Sequence, residues 1–307
     1  MKARNIFGII VTILFMSLLC GCHTSSRKKI GFVVTTLSNP YFIEMVNGAK
    51  DVVKNHPEIE LLVQAPDKAV DNDKQLQIIE NMITQKVDVI CVVPSDSKSI
   101  ISSIEKANKA NIPIIILDNN IDTILARQKR VTIATFIGSD NYQGGQLAAQ
   151  YILEKLNKNG DVAILEGVSG VDAAIKRKSG FIDFMNNYKT IRIVASQPAD
   201  WEREKGMNVL QNIIRANPNL NAVFACNDEM ALGAIQAIKD AKKGGKIIIV
   251  GFDATPDGRA AVKKKEMSAT IAQQPTFVGA EGVKKAIMLL NSENINGSYK
   301  VEVSIIK

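Results

Sequence analysis

From Lys29 onward the chain alternates continuous apolar runs with stretches in which apolar residues recur every three or four positions. The runs are KIGFVVTT, IELLVQAP, VDVICVVPS, IPIIILDNN, VTIATFIGSD, GDVAILEG, IRIVASQPA, AVFACND, IIIVGFDA and MSATIAQ. A strand with one wet face alternates apolar and polar residues; unbroken Val/Ile runs predict parallel strands covered on both faces by helices. Between them, segments such as 72–85 and 142–156 carry apolar residues at helical spacing. The predicted class is α/β, doubly wound.

The pattern runs twice. VDVICVVPSDSKSIISSI leads to IPIIILDNN in the first half, and LNAVFACNDEMALGAIQAI leads to KIIIVGFDA in the second. In each, a buried strand ends in a polar turn that starts a helix, and the next strand ends in an aspartate, Asp118 or Asp253. Two similar lobes are the expectation. In such sheets ligands bind beyond the carboxyl ends of the strands, where strand order reverses. Those ends read Thr35-Thr36, Pro94-Ser95, Asp118-Asn119, Glu166-Gly167, Asn227-Asp228 and Asp253.

The residues before the first run have a different grammar. Lys2 and Arg4 precede an apolar stretch from Ile6 to Leu19, which ends in LCGC. The stretch is shorter than the roughly 20 residues that span a bilayer, and its basic start and small residue before Cys22 fit an export signal. Leu-x-Gly-Cys resembles the lipobox of bacterial lipoproteins. That resemblance implies a signal peptide over 1–21, cleavage before Cys22, lipid on the Cys22 sulfur, and a polar tether over 22–28.

Composition narrows the chemistry. The formal charge of +7 falls to +5 without Lys2 and Arg4, and the basic residues are scattered; no basic stripe interleaved with aromatics argues for nucleic acid. Two histidines, His23 and His56, and no CxxC leave little material for a zinc site or a Ser-His-Asp triad. Cys91 and Cys226 sit in apolar runs and are expected to be buried thiols. No GxGxxG or GxxxxGK[ST] follows a strand. Without a nucleophile, metal set or basic histidine, the carboxylates Asp118 and Asp253 do not make an enzyme, and no cofactor is expected.

A binding pocket for a polyhydroxylated ligand needs flat aromatics against apolar ring faces and fixed polar groups around hydroxyls. The first strand leads into LSNPYF, where Asn39, Tyr41 and Phe42 open a helix, and Trp201 and Phe252 add aromatic surface. Asp118, Asn119, Arg177, Asn227, Asp253 and Gln273 supply hydrogen-bonding groups, nearly all at strand ends or in turns. Trp201, the single tryptophan, sits in the polar stretch QPADWERE.

VVTTLSNPYF, GSDNYQGGQLA, ASQPADWEREKGMNVLQNI, AVFACNDEMALGAI, VGFDATPDG and ATIAQQP closely resemble the ribose-binding group of type I periplasmic binding proteins, from about Lys29 to the end of the chain. The resemblance implies two Rossmann-like lobes joined by a hinge of three crossings, near Ser139-Asp140, Gln273-Gln274 and Glu302. The amino-terminal lobe would comprise 29–138 plus 274–302, and the carboxy-terminal lobe 139–273 plus 303–307. A sugar or polyol would be clamped between them. Asn39, Asp118, Arg177, Asn227, Asp253 and Gln273 would bond it, and Tyr41, Phe42 and Trp201 would stack on it, with Phe252 bordering.

Two positions depart from ribose binders, which carry asparagine before the proline of the NP[ST]D turn and arginine after the aspartate of LD. Here Val93 and Asn119 stand there. These departures put the identity of the sugar in question, and Val93 is expected to add apolar surface beside the pocket. The implied partners are the permease and ATPase of an ABC importer, with the protein monomeric and held at the outer face of the membrane by its lipid. The alternative is a sensor that presents the bound sugar to a chemoreceptor or histidine kinase.

Overall fold

The computed structural model describes residues 27–295 and 297–307, so Cys22 and the apolar run before it lie outside the described residues. Each of the ten apolar runs forms a strand. They are β1 (Lys28–Val33), β2 (Ile59–Gln64), β3 (Val89–Val92), β4 (Ile114–Leu117), β5 (Thr135–Ser139), β6 (Gly160–Glu166), β7 (Ile191–Pro198), β8 (Leu220–Ala225), β9 (Ile248–Asp253) and β10 (Ala269–Ala272). The helices between the first six strands are α1 (Pro40–Val53), α2 (Asn72–Thr84), α3 (Ile100–Lys109), α4 (Thr123–Gln128) and α5 (Asn141–Lys155). Those that follow are α6 (Asp172–Met185), α7 (Arg203–Ala216), α8 (Asp228–Asp240), α9 (Pro256–Lys263) and α10 (Pro275–Leu290). Two short strands close the chain, β11 (Tyr299–Val301) and β12 (Ser304–Ile306).

The strands sort into two six-stranded sheets. The first has the order β11-β5-β4-β3-β1-β2 and is parallel throughout. The second has the order β12-β10-β9-β8-β6-β7, parallel except for β12, which runs against β10. Apart from β11 and β12 the two orders are the same, so strand order reverses between β1 and β3 in one lobe and between β6 and β8 in the other. Each reversal opens a crevice at the strands' carboxyl ends.

The unbroken apolar runs divide their side chains between two cores. In β3, Val89 and Cys91 join the cluster that also holds Tyr41, Phe42 and Met45, while Ile90 and Val92 join the cluster on the other face with Ile79 and Ile104. A strand with helices on both faces has no wet position, which is why its sequence does not alternate. Cys91 and Cys226 are both buried free thiols. Burial alone pushes the Cys91 thiol far up, and burial is also the main cause that lifts Cys226 to about 12.

The chain passes from the first sheet to the second between β5 and α5, returns between β10 and α10, and crosses again between β11 and β12. One backbone bond and one side-chain bond tie these passages together. The Asp140 amide donates to the Val301 carbonyl at 3.1 Å, and Gln274 Nε2 donates to the Glu302 carbonyl at 3.3 Å. Close helix packing sets what faces the interlobe space. A Cβ at Gly145 would overlap the Arg177 carbonyl, and one at Gly180 would overlap that of Tyr142. The glycines let α5 and α6 touch backbone to backbone, which brings Asn141 against the Arg177 side chain.

Candidate ligand-binding site

Facing each other across the interlobe space, the carboxyl ends of the two sheets enclose about 410 Å³ free of protein atoms, the mouth included. The first lobe contributes Asn39, Tyr41, Phe42, Asp118 and Asn119 to the lining; the second contributes Arg177, Trp201, Asn227 and Asp253. Two sequence candidates stand one layer back. Phe252 is fully buried beneath the Arg177 guanidinium, 3.7 Å from ring centroid to Cζ. Gln273 donates from Nε2 to Asp253 Oδ1 at 2.7 Å, and its Oε1 lies 3.3 Å from the Tyr41 hydroxyl.

Arg177 organises the second lobe's wall. Its Nε donates to Asn141 Oδ1 at 2.8 Å, and Nη1 donates to the Cys226 carbonyl at 2.7 Å and to Asp253 Oδ1 at 3.3 Å. With the Phe252 ring below it and Trp201 at 5.4 Å, the guanidinium has one orientation. Nη2 has no protein partner among the described residues, so this planar donor is aimed and unspent. Removing a buried guanidinium from water is costly unless charge and hydrogen bonds replace the water, and Asp253 with two neutral acceptors does that here.

The carboxylates face one another from opposite lobes. The Tyr41 hydroxyl donates to Asp118 Oδ1 at 2.6 Å, leaving Oδ2 for other donors. Burial raises the Asp118 pKa, partly offset by the positive charge of Arg177. Burial also pushes Asp253 well up; Arg177 offsets this, while the negative charges of Asp228 and Asp118 add to it. The Tyr41 phenol is driven up by burial and then by Asp118. A site that holds two buried carboxylates ready to accept hydrogen bonds suits a ligand rich in neutral donors such as hydroxyls.

Backbone strain marks the same residues. Asp118, Asp253 and Trp201 have φ of +57°, +106° and +66°, a region that non-glycine residues rarely occupy and that costs on the order of 1–3 kcal/mol at each. The helix caps are made by the two asparagines. Asn39 Oδ1 accepts from the Tyr41 amide and Asn227 Oδ1 from the Met230 amide, both at 2.9 Å. Asn227 Nδ2 holds the Trp201 carbonyl at 3.2 Å, whereas Asn39 Nδ2 has no partner among the described residues.

Sequence reasoning missed Thr35, Ala69, Ser95, Val171 and Ala173, which complete the lining. Thr35 and Ser95 stand at strand ends that the pattern pointed to. Ala69, Val171 and Ala173 are small apolar residues in loops or at a helix start, and nothing in the sequence distinguishes them. Val93 differs from expectation: its side chain is fully buried in the core with Tyr41 and Phe42 and does not line the pocket. Its carbonyl accepts from Gln75 Nε2 at 2.9 Å, and Gln75 Oε1 holds the Ser95 amide at 2.8 Å, which fixes the turn. Asn119 donates from Nδ2 to the Pro94 carbonyl at 3.0 Å, so it presents its oxygen to the pocket.

Residues 30–294 match the periplasmic binding protein domain family. The chain is 35% identical to the ribose import binding protein of Escherichia coli (strain K12) over 97% of this chain and 96% of that one. A solute-binding protein of an ABC transporter from Actinobacillus succinogenes 130z, solved with bound D-allose, superposes with a TM-score of 0.85 at 40% identity, covering 92% of this chain and 98% of that one. Another from Bacillus halodurans, solved with bound myo-inositol, has a TM-score of 0.85 at 29% identity over 93% and 96%. These relatives are solute-binding proteins, not enzymes.

Proposed function

Since the chain belongs to the ribose-binding group of the periplasmic binding proteins, we propose that it captures a neutral monosaccharide or related polyol outside the cytoplasm and delivers it to the permease and ATPase of an ABC importer. The observation that carries this reading is the pairing of Asp118 on one lobe with Arg177 and Asp253 on the other, all buried around one space walled by Tyr41, Phe42 and Trp201. Such a ligand satisfies groups of both lobes at once, which is the differential contact that favours closure. The lobes comprise residues 29–138 with 274–302 and 139–273 with 303–307, and they move about the three crossings. Cys22 carries the lipid that holds the monomeric protein at the membrane.

Calorimetry with a panel of pentoses, hexoses, deoxysugars and inositols tests the ligand class. The expected result is one-to-one saturable binding of at least one neutral sugar or cyclitol that is lost in Asp118→Ala and Arg177→Ala proteins. A protein that binds none of the panel removes the reading.

A further inference from the structure

At one end of the pocket a hydroxyl is stranded. Ser95 Oγ is buried, lines the pocket and has no hydrogen-bond partner among the described residues. The turn that carries it is rigid, because Gln75 holds both the Ser95 amide and the Val93 carbonyl. Beside it Asn119 spends its NH₂ group on the Pro94 carbonyl, which leaves its Oδ1 without a partner among the described residues. A buried hydroxyl without a partner is unfavourable unless something in the functional state bonds it.

The opposite wall at this end is apolar. Ser97, two residues on from Ser95, touches the segment that starts α6: its amide donates to the Gly170 carbonyl at 3.4 Å. Val171 and Ala173 of that segment also line the pocket, so the second lobe adds methyl groups to the lining that Ser95 and Asn119 enter from the first. Elsewhere in the lining the Asp118 and Asp253 carboxyls and the Arg177 guanidinium offer hydrogen bonds to hydroxyls on a ring. What remains at the Ser95 end is one hydroxyl and one acceptor against a small apolar wall.

We propose that Ser95 and Asn119 form a subsite for the exocyclic hydroxymethyl group of a six-carbon aldose, its carbon against Val171 and Ala173 and its hydroxyl bonded to Ser95 Oγ and Asn119 Oδ1. Ser95 is then the residue that separates hexoses from pentoses and from 6-deoxy sugars. A carboxylate in the same place, as in a uronic acid, would meet Asn119 Oδ1 and find no cation in the lining at that end. This inference rests on the reading of the pocket as a sugar site.

The test measures Kd by calorimetry for D-allose, 6-deoxy-D-allose and D-ribose on the native protein and on Ser95→Ala. The expected result is a loss of roughly three- to tenfold for D-allose, the scale of one neutral hydrogen bond, with Kd for D-ribose and 6-deoxy-D-allose unchanged. The ligand-free melting temperature of Ser95→Ala should be equal to or above that of the native protein, since the change removes an unpaired buried hydroxyl; this separates a ligand contact from a structural role. Equal losses on all three sugars, or none on D-allose, would overturn the subsite while sugar binding stands. No binding of these or any other neutral sugar would remove the sugar reading and the subsite together.

Discussion

The Ser97 hydroxyl, on the turn after β3, accepts a hydrogen bond from the Asp172 backbone amide at 3.0 Å and so joins one lobe to the first turn of α6 in the other. The same hydroxyl donates to the Asn120 carbonyl at 2.7 Å, which fixes its orientation. Helix amides of the first turn have no partner within their own helix, so an acceptor arriving from the opposite lobe satisfies a group that water would otherwise hold. This bond needs no ligand.

Ser97→Ala should therefore shift the lobes toward the open arrangement. Apparent affinity falls with the population of the closed form, by about two- to tenfold for one neutral hydrogen bond. Small-angle scattering of the ligand-free protein should show a larger radius of gyration than the native protein does. Unchanged scattering and unchanged affinity would mean that the contact does not bias closure.

Trp201 is seated by Gly167. A Cβ at Gly167 would overlap the indole, so Gly167→Ala should push the ring out of place and weaken binding without altering any ligand-bonding group. Trp201→Ala should cost about 1 to 3 kcal/mol of affinity on stacking and burial grounds. The single tryptophan makes the readout direct: saturating sugar should change native fluorescence, and Gly167→Ala should alter the unliganded spectrum.

Binding should weaken in acid. Hydroxyls donate best to ionised Asp118 and Asp253, whose pKa values are raised, chiefly by burial. Affinity is then full at high pH and falls as pH drops through those raised values, beginning above the ordinary carboxylate range. Titrations from neutral pH down to pH 4 check this; an affinity that is flat over that span would show that the carboxylates are not the acceptors.

Asp228 predicts a pH dependence of stability with the same cause. Burial lifts its pKa from 3.8 to about 6, although Thr255 and Thr270 donate three hydrogen bonds to it. A folded-state pKa above the unfolded one means that the folded chain binds more protons between them. The stability contribution is full below about pH 4 and is lost as pH rises to 6, on the order of 3 kcal/mol in all. Asp228→Asn should remove that fall, so the difference between urea unfolding curves of the two proteins should grow from pH 4 to pH 6 and then level off.

Membrane attachment should depend on one sulfur. Cys22→Ser should abolish fatty-acid labelling and release the protein from the membrane fraction, because the apolar run before it is too short to span. A variant that still labels and sediments with membranes would place the lipid elsewhere.

The sequence by itself determined ten of the twelve strands among the described residues. A Val/Ile run with no polar interruption, such as VICVV from Val89 to Val93, has one comfortable home, between two layers of helix. The repeat of strand, turn and helix likewise fixed two lobes, and the polar residues at strand ends picked out Asp118, Asn227 and Asp253, because turns are where such groups escape burial. Tertiary structure decided which groups are free. Asn39 and Asn227 both cap helices, yet only Asn39 keeps an uncommitted amide, since Trp201 happens to end its turn beside Asn227. Val93 and Ser95 are two residues apart in one turn. Val93 enters the core while Ser95 lines the pocket, and the turn between them is held by Gln75, a residue on α2 that is distant in sequence and bonds the backbone of both. Hydrogen-bond partners at that separation leave no local pattern, because they are chosen by how helices settle on the sheet.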